Sequence, residues 1–285
     1  MNSPWTVVNT IEADGFVPAS EVAGIASLIM FDCGALAVGE TPLPGDRIQQ
    51  VAGFGSENQA EMALEALSLQ LPAVSCTIRA DEGYRGWIQS QRDGLRPTTV
   101  GSFTIRAPWH EPSAVPDLDV IIDPGGAFGH GAHPSTHLAL ELLIRSFESS
   151  DTSNNKPVVV DLGTGTGVIA IVAARLGNFV RATEYDADAL SVAATNIAAN
   201  HVSGQIELIG GNAAESRIDT TDLVVANMTL DVHREVAENY APARQIIVAG
   251  LLCSQVGAMR ELLPNHCART IRTRGEWAAI GFAQT

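Results

Sequence analysis

The run from Val158 to Val168, VVVDLGTGTGV, joins an apolar strand to a helix through glycines at every second position, and few folds accommodate such a junction. Val158, Val159 and Val160 read as a strand buried on both faces, and the apolar periodicity from Val168 to Leu176 reads as the next helix. Between them Gly163, Gly165 and Gly167 permit a tight turn and let a ligand lie against bare backbone. The G-x-G-x-G spacing departs from the dinucleotide fingerprint G-x-G-x-x-G. About twenty residues past Gly163, where a second strand should end, stands Glu184, whose carboxylate can take the ribose hydroxyls of an adenosine. The expectation is a nucleoside ligand other than a dinucleotide.

The 285 residues, 46% of them hydrophobic, suffice for one α/β domain and a smaller companion. A formal charge of -15 argues against a nucleic-acid partner, because phosphate contacts need clustered Lys and Arg, and would steer a basic protein toward this surface. Lys156 is the single lysine; a compositional bias toward Arg accounts for it, and so would a lysine-modifying enzyme avoiding its own chemistry. Cys33, Cys76, Cys253 and Cys267 form no C-x-x-C pair, so no zinc site or disulfide framework is expected and the thiols are read as reduced and mainly buried. The start MNSPWTVV lacks a basic stretch leading into an apolar one, and no run of about 18 apolar residues occurs. A soluble, cytoplasmic protein with no membrane partner is expected.

Residues 1–80 predict strand Trp5 to Ile11, helix Ala19 to Met30, strand Gly34 to Val38, a turn at Pro42 to Gly45 and strand Ile48 to Phe54. Helix Glu57 to Leu69 comes next, with Ala60, Met62, Leu64, Ala66 and Leu67 near one face, then strand Val74 to Ile78. The order βαββαβ is that of an α+β ferredoxin-like sandwich, and it contains no catalytic cluster. Residues 81–118, with Tyr84, Trp87, a strand from Ser102 to Ala107 and the prolines 108, 112 and 116, read as a linker. Residues 119–285 carry the main domain: apolar strands at 157–161, 179–185, 205–210, 222–227 and 244–249 alternate with helical patterns, which implies a parallel, doubly wound α/β sheet. Thr270 to Ile280 is expected to supply a closing antiparallel pair.

A second constellation lies upstream of the glycine turn, in the segment DPGGAFGHGAHPST from Asp123 to Thr136. Its glycines and rings describe a loop shaped for close contact, and Pro134 starts a helix whose positive end, with the Ser135 and Thr136 hydroxyls, suits a carboxylate. His130, His133 and His137 have no carboxylate or thiol at ligand spacing, so a metal is not expected.

These motifs resemble those of S-adenosylmethionine-dependent methyltransferases of the Rossmann-like class I, and in particular the PrmA family, which modifies the large-subunit ribosomal protein L11. The resemblance rests on DPGGAFGHGAHPSTHLALELL, VVDLGTGTGVIAIVAARLG, VVANM, PLPG at Pro42 to Gly45, AGLLCSQV from Ala249, and Glu276-Trp277. It implies S-adenosyl-L-methionine held by Thr136, Gly163, Glu184 and Asn227, and an N-terminal domain that docks the ribosomal protein. The sequence departs from the family's pattern at His130, where Thr is usual, at Glu184 in place of Asp, and at Asn227-Met228-Thr229 in place of Asn-Ile-Leu.

Read from the residues themselves, four positions carry two readings each. Phe128 lines the cofactor pocket or is a plain core aromatic; Asp161 reaches the cofactor amino group or caps the turn; Asn212 contacts an adenine edge or makes a turn; Asn227 positions cofactor or substrate amine or forms a strand-end turn. Gly165 is expected to border the adenosyl space. The absence of Asn-Pro-Pro argues against methylation of glutamine or nucleobase amino groups. The reading is a protein N-methyltransferase acting on lysine or α-amino groups of L11. A methyltransferase of the same build acting on another protein or a small amine, and a non-catalytic module that only binds S-adenosylmethionine, are the alternatives.

Overall fold

The computed structural model describes residues 5–12, 18–72, 74–80, 95–125, 127–148, 158–216 and 223–285. Tyr84, Trp87, Lys156 and the expected strand starts at 157 and 222 lie outside them. The chain divides into two compact units, Met1–Leu95 and Arg96–Thr285.

In the first unit β1 (Trp5–Glu12), α1 (Ala19–Asp32), β2 (Ala35–Leu43), β3 (Arg47–Phe54), α2 (Glu57–Gln70) and β4 (Ser75–Ala80) succeed one another. The strands pair antiparallel in the order β2-β3-β1-β4, the ferredoxin-like arrangement. Strand β2 runs through Pro42, which pairs with Ile48, so the turn falls at residues 44–46 and not at Pro42 to Gly45. An edge strand tolerates proline because it needs only one ladder of hydrogen bonds. Gly45 and Asp46 make the reversal with φ of +82° and +50°. On α2 the buried residues are Ala60, Ala63 and Leu67, while Met62 is exposed. The helix is therefore rotated from the expected face, because the 3.6-residue period selects Ala63 between Ala60 and Leu67. They pack with Val7, Ile11, Ala23, Ile29, Met30 and Phe54 into one core.

The second unit begins with β5 (Thr98–Val100), β6 (Phe103–Arg106) and β7 (Asp119–Ile121). β6 pairs antiparallel with β5 and parallel with β7, and the buried pair Arg106–Asp119 spans the last two at 2.6 Å. The expected linker 81–118 is thus structural from Arg96 onward, and the unit starts there and not at 119. The expected strand Ser102 to Ala107 is β6; β5 and β7, of three residues each, are too short to show a periodicity, and β7 pairs with β6 across a longer loop.

The main sheet has seven strands: β8 (Val158–Leu162), β9 (Phe179–Glu184), β10 (Ile206–Gly210), β11 (Leu223–Asn227), β12 (Gln245–Leu252), β13 (His266–Arg274) and β14 (Trp277–Gln284). Their order is β10-β9-β8-β11-β12-β14-β13, with the first five parallel and β14 antiparallel to both neighbours. This is a doubly wound, Rossmann-like sheet closed by a hairpin. Helix Val168–Arg175 is buried from Val168 through Ala174, as a helix apolar on every side must be. Cys253 and Cys267 are exposed and Cys33 and Cys76 half-buried, against the expectation of buried thiols; Cys253 lies just past β12 and Cys267 on the edge strand β13.

Two buried asparagines bind the helix Ala187–Ala199 to the chain entering the glycine-rich loop. Asn196 accepts from the Asp123 amide and donates to the carbonyls of Asp123 and Thr166, each at 2.9 Å. Asn200, which ends the helix, accepts from the Ile121 amide at 2.9 Å and donates to its carbonyl at 2.6 Å. Both side chains act as an added strand edge for β7 and the residues just beyond it. The Asn196→Ala variant is expected to lose on the order of 2 to 4 kcal/mol, since it strands buried backbone groups on two segments; a urea midpoint within error of wild type would contradict this role.

Candidate functional site

The strand order reverses at β8, which opens a crevice at the carboxyl ends of β8, β9 and β11. Asp161 lies in β8 and Gly163 just beyond it, Glu184 ends β9, and Asn227 ends β11. Thr136, buried in the first turn of helix Pro134–Glu148, joins them: Asn227 Nδ2 donates to Thr136 Oγ1 at 3.1 Å. Asn227 Oδ1 is buried and has no partner. Asn212 follows Gly211, whose amide donates to the Glu184 carbonyl at 2.9 Å. It is exposed, and its side chain accepts from the Ala214 amide at 2.9 Å to cap the short turn Ala213–Glu215, so of its two readings turn chemistry is the one observed.

Glu184 is buried and held by three backbone amides: Gly165 donates to Oε2 at 2.9 Å, and Tyr185 and Asp186 donate to Oε1 at 3.0 and 3.1 Å. A carboxylate offers about four acceptor positions, so one remains open on Oε2.

The glycine turn works differently from a bare shelf. The Thr164 amide donates to Thr183, that of Gly165 to Glu184, that of Thr166 to Phe128 and that of Gly167 to Thr164, so these donors are satisfied within the protein. A Cβ on Gly165, whose φ is +56°, would collide with the carbonyl oxygen of Phe128. Its missing side chain admits the backbone of the upstream loop, so a side chain at 165 would enter protein and not an adenosyl space. On Gly163 a Cβ would meet Met228 Cε at 2.9 Å, the end of a flexible side chain. Phe128 is half-buried with its ring edge-on to His133, and its carbonyl ties the loop to the turn.

Several supporting residues escape a reading of the sequence. His133 lies between Phe128 and Trp277, with ring centroids 5.1 and 4.7 Å away, and burial, then the neighbouring His130, pushes its pKa down to about 4. Below β11, the fully buried His233 pairs with the Tyr240 hydroxyl at 2.6 Å and with the Ala249 carbonyl at 2.9 Å, the same carbonyl that accepts from the Met228 amide. Their spacing of seven, two helical turns, was the available signal. Asn196 and Asn200, four apart on an apolar helix face, were another. Among the described residues no group of three or more His, Cys, Asp or Glu is placed to hold a metal ion, and no helix is long and apolar enough to cross a membrane.

Residues 36–285 match the family model described as "Ribosomal protein L11 methyltransferase (PrmA)". The chain belongs to the PrmA family. Ribosomal protein L11 methyltransferase of Alkaliphilus oremlandii is 31% identical over 263 residues, 89% of this chain and 81% of that protein. The protein of the same name from Pelotomaculum thermopropionicum is 35% identical over 253 residues, 82% of this chain and 79% of that one. A crystal structure of the ribosomal protein L11 methylase from Lactobacillus delbrueckii subsp. bulgaricus aligns with a TM-score of 0.59 at 23% identity, covering 67% of this chain and all of that one, and shows the shared fold.

In this PrmA-family chain the deepest acid of the crevice is Asp161, which has no exposed surface. Burial pushes its pKa up to about 7, and the charge of Glu184 adds to this, while hydrogen bonds from the Thr164 hydroxyl, at 2.6 Å, and the Ala170 amide oppose it. Asp161 Oδ1 has no partner, so the turn-capping reading is observed on one oxygen and the other stays open. An unfolded Asp ionises near pH 4, so between about pH 4 and 7 the folded chain binds the extra proton and this group makes stability fall as pH rises. Replacing it by Asp161→Asn removes that slope. Denaturation at pH 5 and pH 8 is expected to show the variant gaining on wild type at the higher pH; an equal difference at both would refute the assignment.

Proposed function

We propose that this protein is an S-adenosylmethionine-dependent methyltransferase acting on amines of ribosomal protein L11, either lysine side chains or the α-amine. The observation that carries the reading is the Asn227 side chain, with its nitrogen tied to Thr136 and its oxygen buried without a partner at the switch point of the sheet. Such an orphan acceptor costs about 1 to 3 kcal/mol, which a donor arriving with a ligand removes.

The residues suit the cofactor. Glu184 presents its open Oε2 position to the ribose beside Gly163, and Thr136, whose hydroxyl accepts from Asn227, keeps its own O–H for the carboxylate of a methionine moiety at the helix start. Asp161 Oδ1 and the ring of Phe128 complete the set. Bound there, S-adenosylmethionine supplies a methyl group already activated on sulfur, which leaves the protein to position and desolvate a nucleophile.

A lysine of pKa about 10.4 costs roughly 4 to 5 kcal/mol to deprotonate at neutral pH, and an α-amine near 8 costs about 1. A low-dielectric crevice favours the neutral amine. Asn227 Oδ1 accepts one N–H of it without retaining the proton, as a carboxylate would. Asn227 would thereby hold the nitrogen lone pair toward the activated methyl group that the bound cofactor would supply, with the electrons of the C–S bond going to the departing thioether and the proton of the new ammonium to water. The first unit docks the ribosomal protein, and the net charge of -15 favours a basic partner in the cytoplasm.

Incubation with labelled cofactor and the ribosomal proteins of its own source is expected to label L11; label on another protein, or binding without transfer, would overturn the proposal. Glu184→Ala should weaken cofactor binding by about 1 to 3 kcal/mol in calorimetry. Asn227→Ala should slow transfer on the order of tenfold to a hundredfold. Unchanged values would remove those roles.

A further inference from the structure

Asn227 is not the lone orphan in its segment. Thr229 occupies the N-cap position of helix Leu230–Val236, with φ -67° and ψ 159°, yet its side chain makes no capping bond. Its hydroxyl is instead buried and has no partner. Threonine at this position ordinarily contributes about 1 kcal/mol by accepting from the first turn, so this one forgoes the cap and leaves a desolvated hydroxyl unpaired as well. The residue also departs from the leucine of the motif the segment resembles.

The backbone is pinned so that the two orphans accompany each other. The Met228 amide still donates to Ala249 at 3.1 Å, which carries the alternation of β11 one residue further and returns Thr229 to the side of Asn227. Met228 itself lies toward Gly163. Gly250, with φ +82°, has no Cβ to collide with the Met228 carbonyl, and His233, backed by Tyr240, holds Ala249 from below.

A neutral primary amine has two N–H bonds and one lone pair. Two fixed acceptors therefore leave it one free direction. We propose that Thr229 is a substrate-positioning residue whose hydroxyl accepts the second N–H of the incoming amine, with Asn227 Oδ1 accepting the first, so that the lone pair faces the methyl donor; this rests on the function proposed above. Once one methyl is added, a single N–H remains and Asn227 alone holds it. The Thr229 contact therefore serves the first transfer only.

The test uses the full chain with L11 and S-adenosylmethionine, tracking methyl count by mass spectrometry in the Thr229→Val, Thr229→Ala and Thr229→Ser variants. Val and Ala are expected to slow the first addition about tenfold and later additions less than about threefold, with cofactor Kd within about twofold of wild type. The thermal midpoint of Thr229→Val is expected to be no lower than wild type, because an orphan hydroxyl is removed, whereas a structural role would lower it. Ser should behave as wild type. First addition at the wild-type rate in Val and Ala, equal slowing of every addition, or a cofactor Kd that weakens in step with the rate would overturn the role of Thr229 alone. A wild-type protein that binds cofactor and leaves L11 unmodified would overturn the parent function and this inference with it.

Discussion

The contact between the Phe128–Gly129 backbone and the glycine turn after β8 is the constraint on which the crevice depends. The Thr166 amide donates to the Phe128 carbonyl at 3.0 Å and the Thr166 hydroxyl to the Gly129 carbonyl, in space that exists because Gly165 lacks a side chain. The turn orients the amide that holds Glu184, and the loop leads into the helix that carries Thr136. Carboxylate and hydroxyl are thus set by one packing event between segments far apart in sequence. Backbone groups removed from water must find partners, which makes the contact all-or-none.

Buried polar side chains give that contact its geometry. Asn196 touches both partners, the entry of the loop at Asp123 and the exit of the turn at Thr166, and Asn200 continues the grip on Ile121. On the other side of β8, His233 and Tyr240 do the equivalent for the segment after β11 through the Ala249 carbonyl. Apolar packing alone would hold these segments near the sheet; directional bonds decide where their backbone points.

Much of this is legible in the sequence because it derives from periodicity and from strand ends. Alternating apolar runs predict both sheets, and the rule that ligands gather at the carboxyl ends of strands near a switch point leads to Asp161, Glu184 and Asn227 from the residue pattern alone. The features that cannot be read depend on partners remote in sequence. Gly165 reads as a ligand contact because nothing local shows that Phe128 would fill its space, and Met62 reads as a core residue because one apolar residue more or less shifts a short helical stripe. Of the short strands between 98 and 121 only the one expected from Ser102 to Ala107 is legible, as β6, while β5 and β7, of three residues each, carry no period of their own. Pro42 reads as a turn because an edge strand cannot be recognised before its neighbours are known.

Glu184 enters any encounter with a ligand already immobilised. Its side chain has been fixed by the amides of Gly165, Tyr185 and Asp186, so the rotamer entropy of a long acid was surrendered when the chain folded. Any donor that reaches its open Oε2 position consequently meets a rigid acceptor and need not organise one. The flexible thioether of Met228, whose end lies where a side chain on Gly163 would begin, can shift without disturbing that anchor.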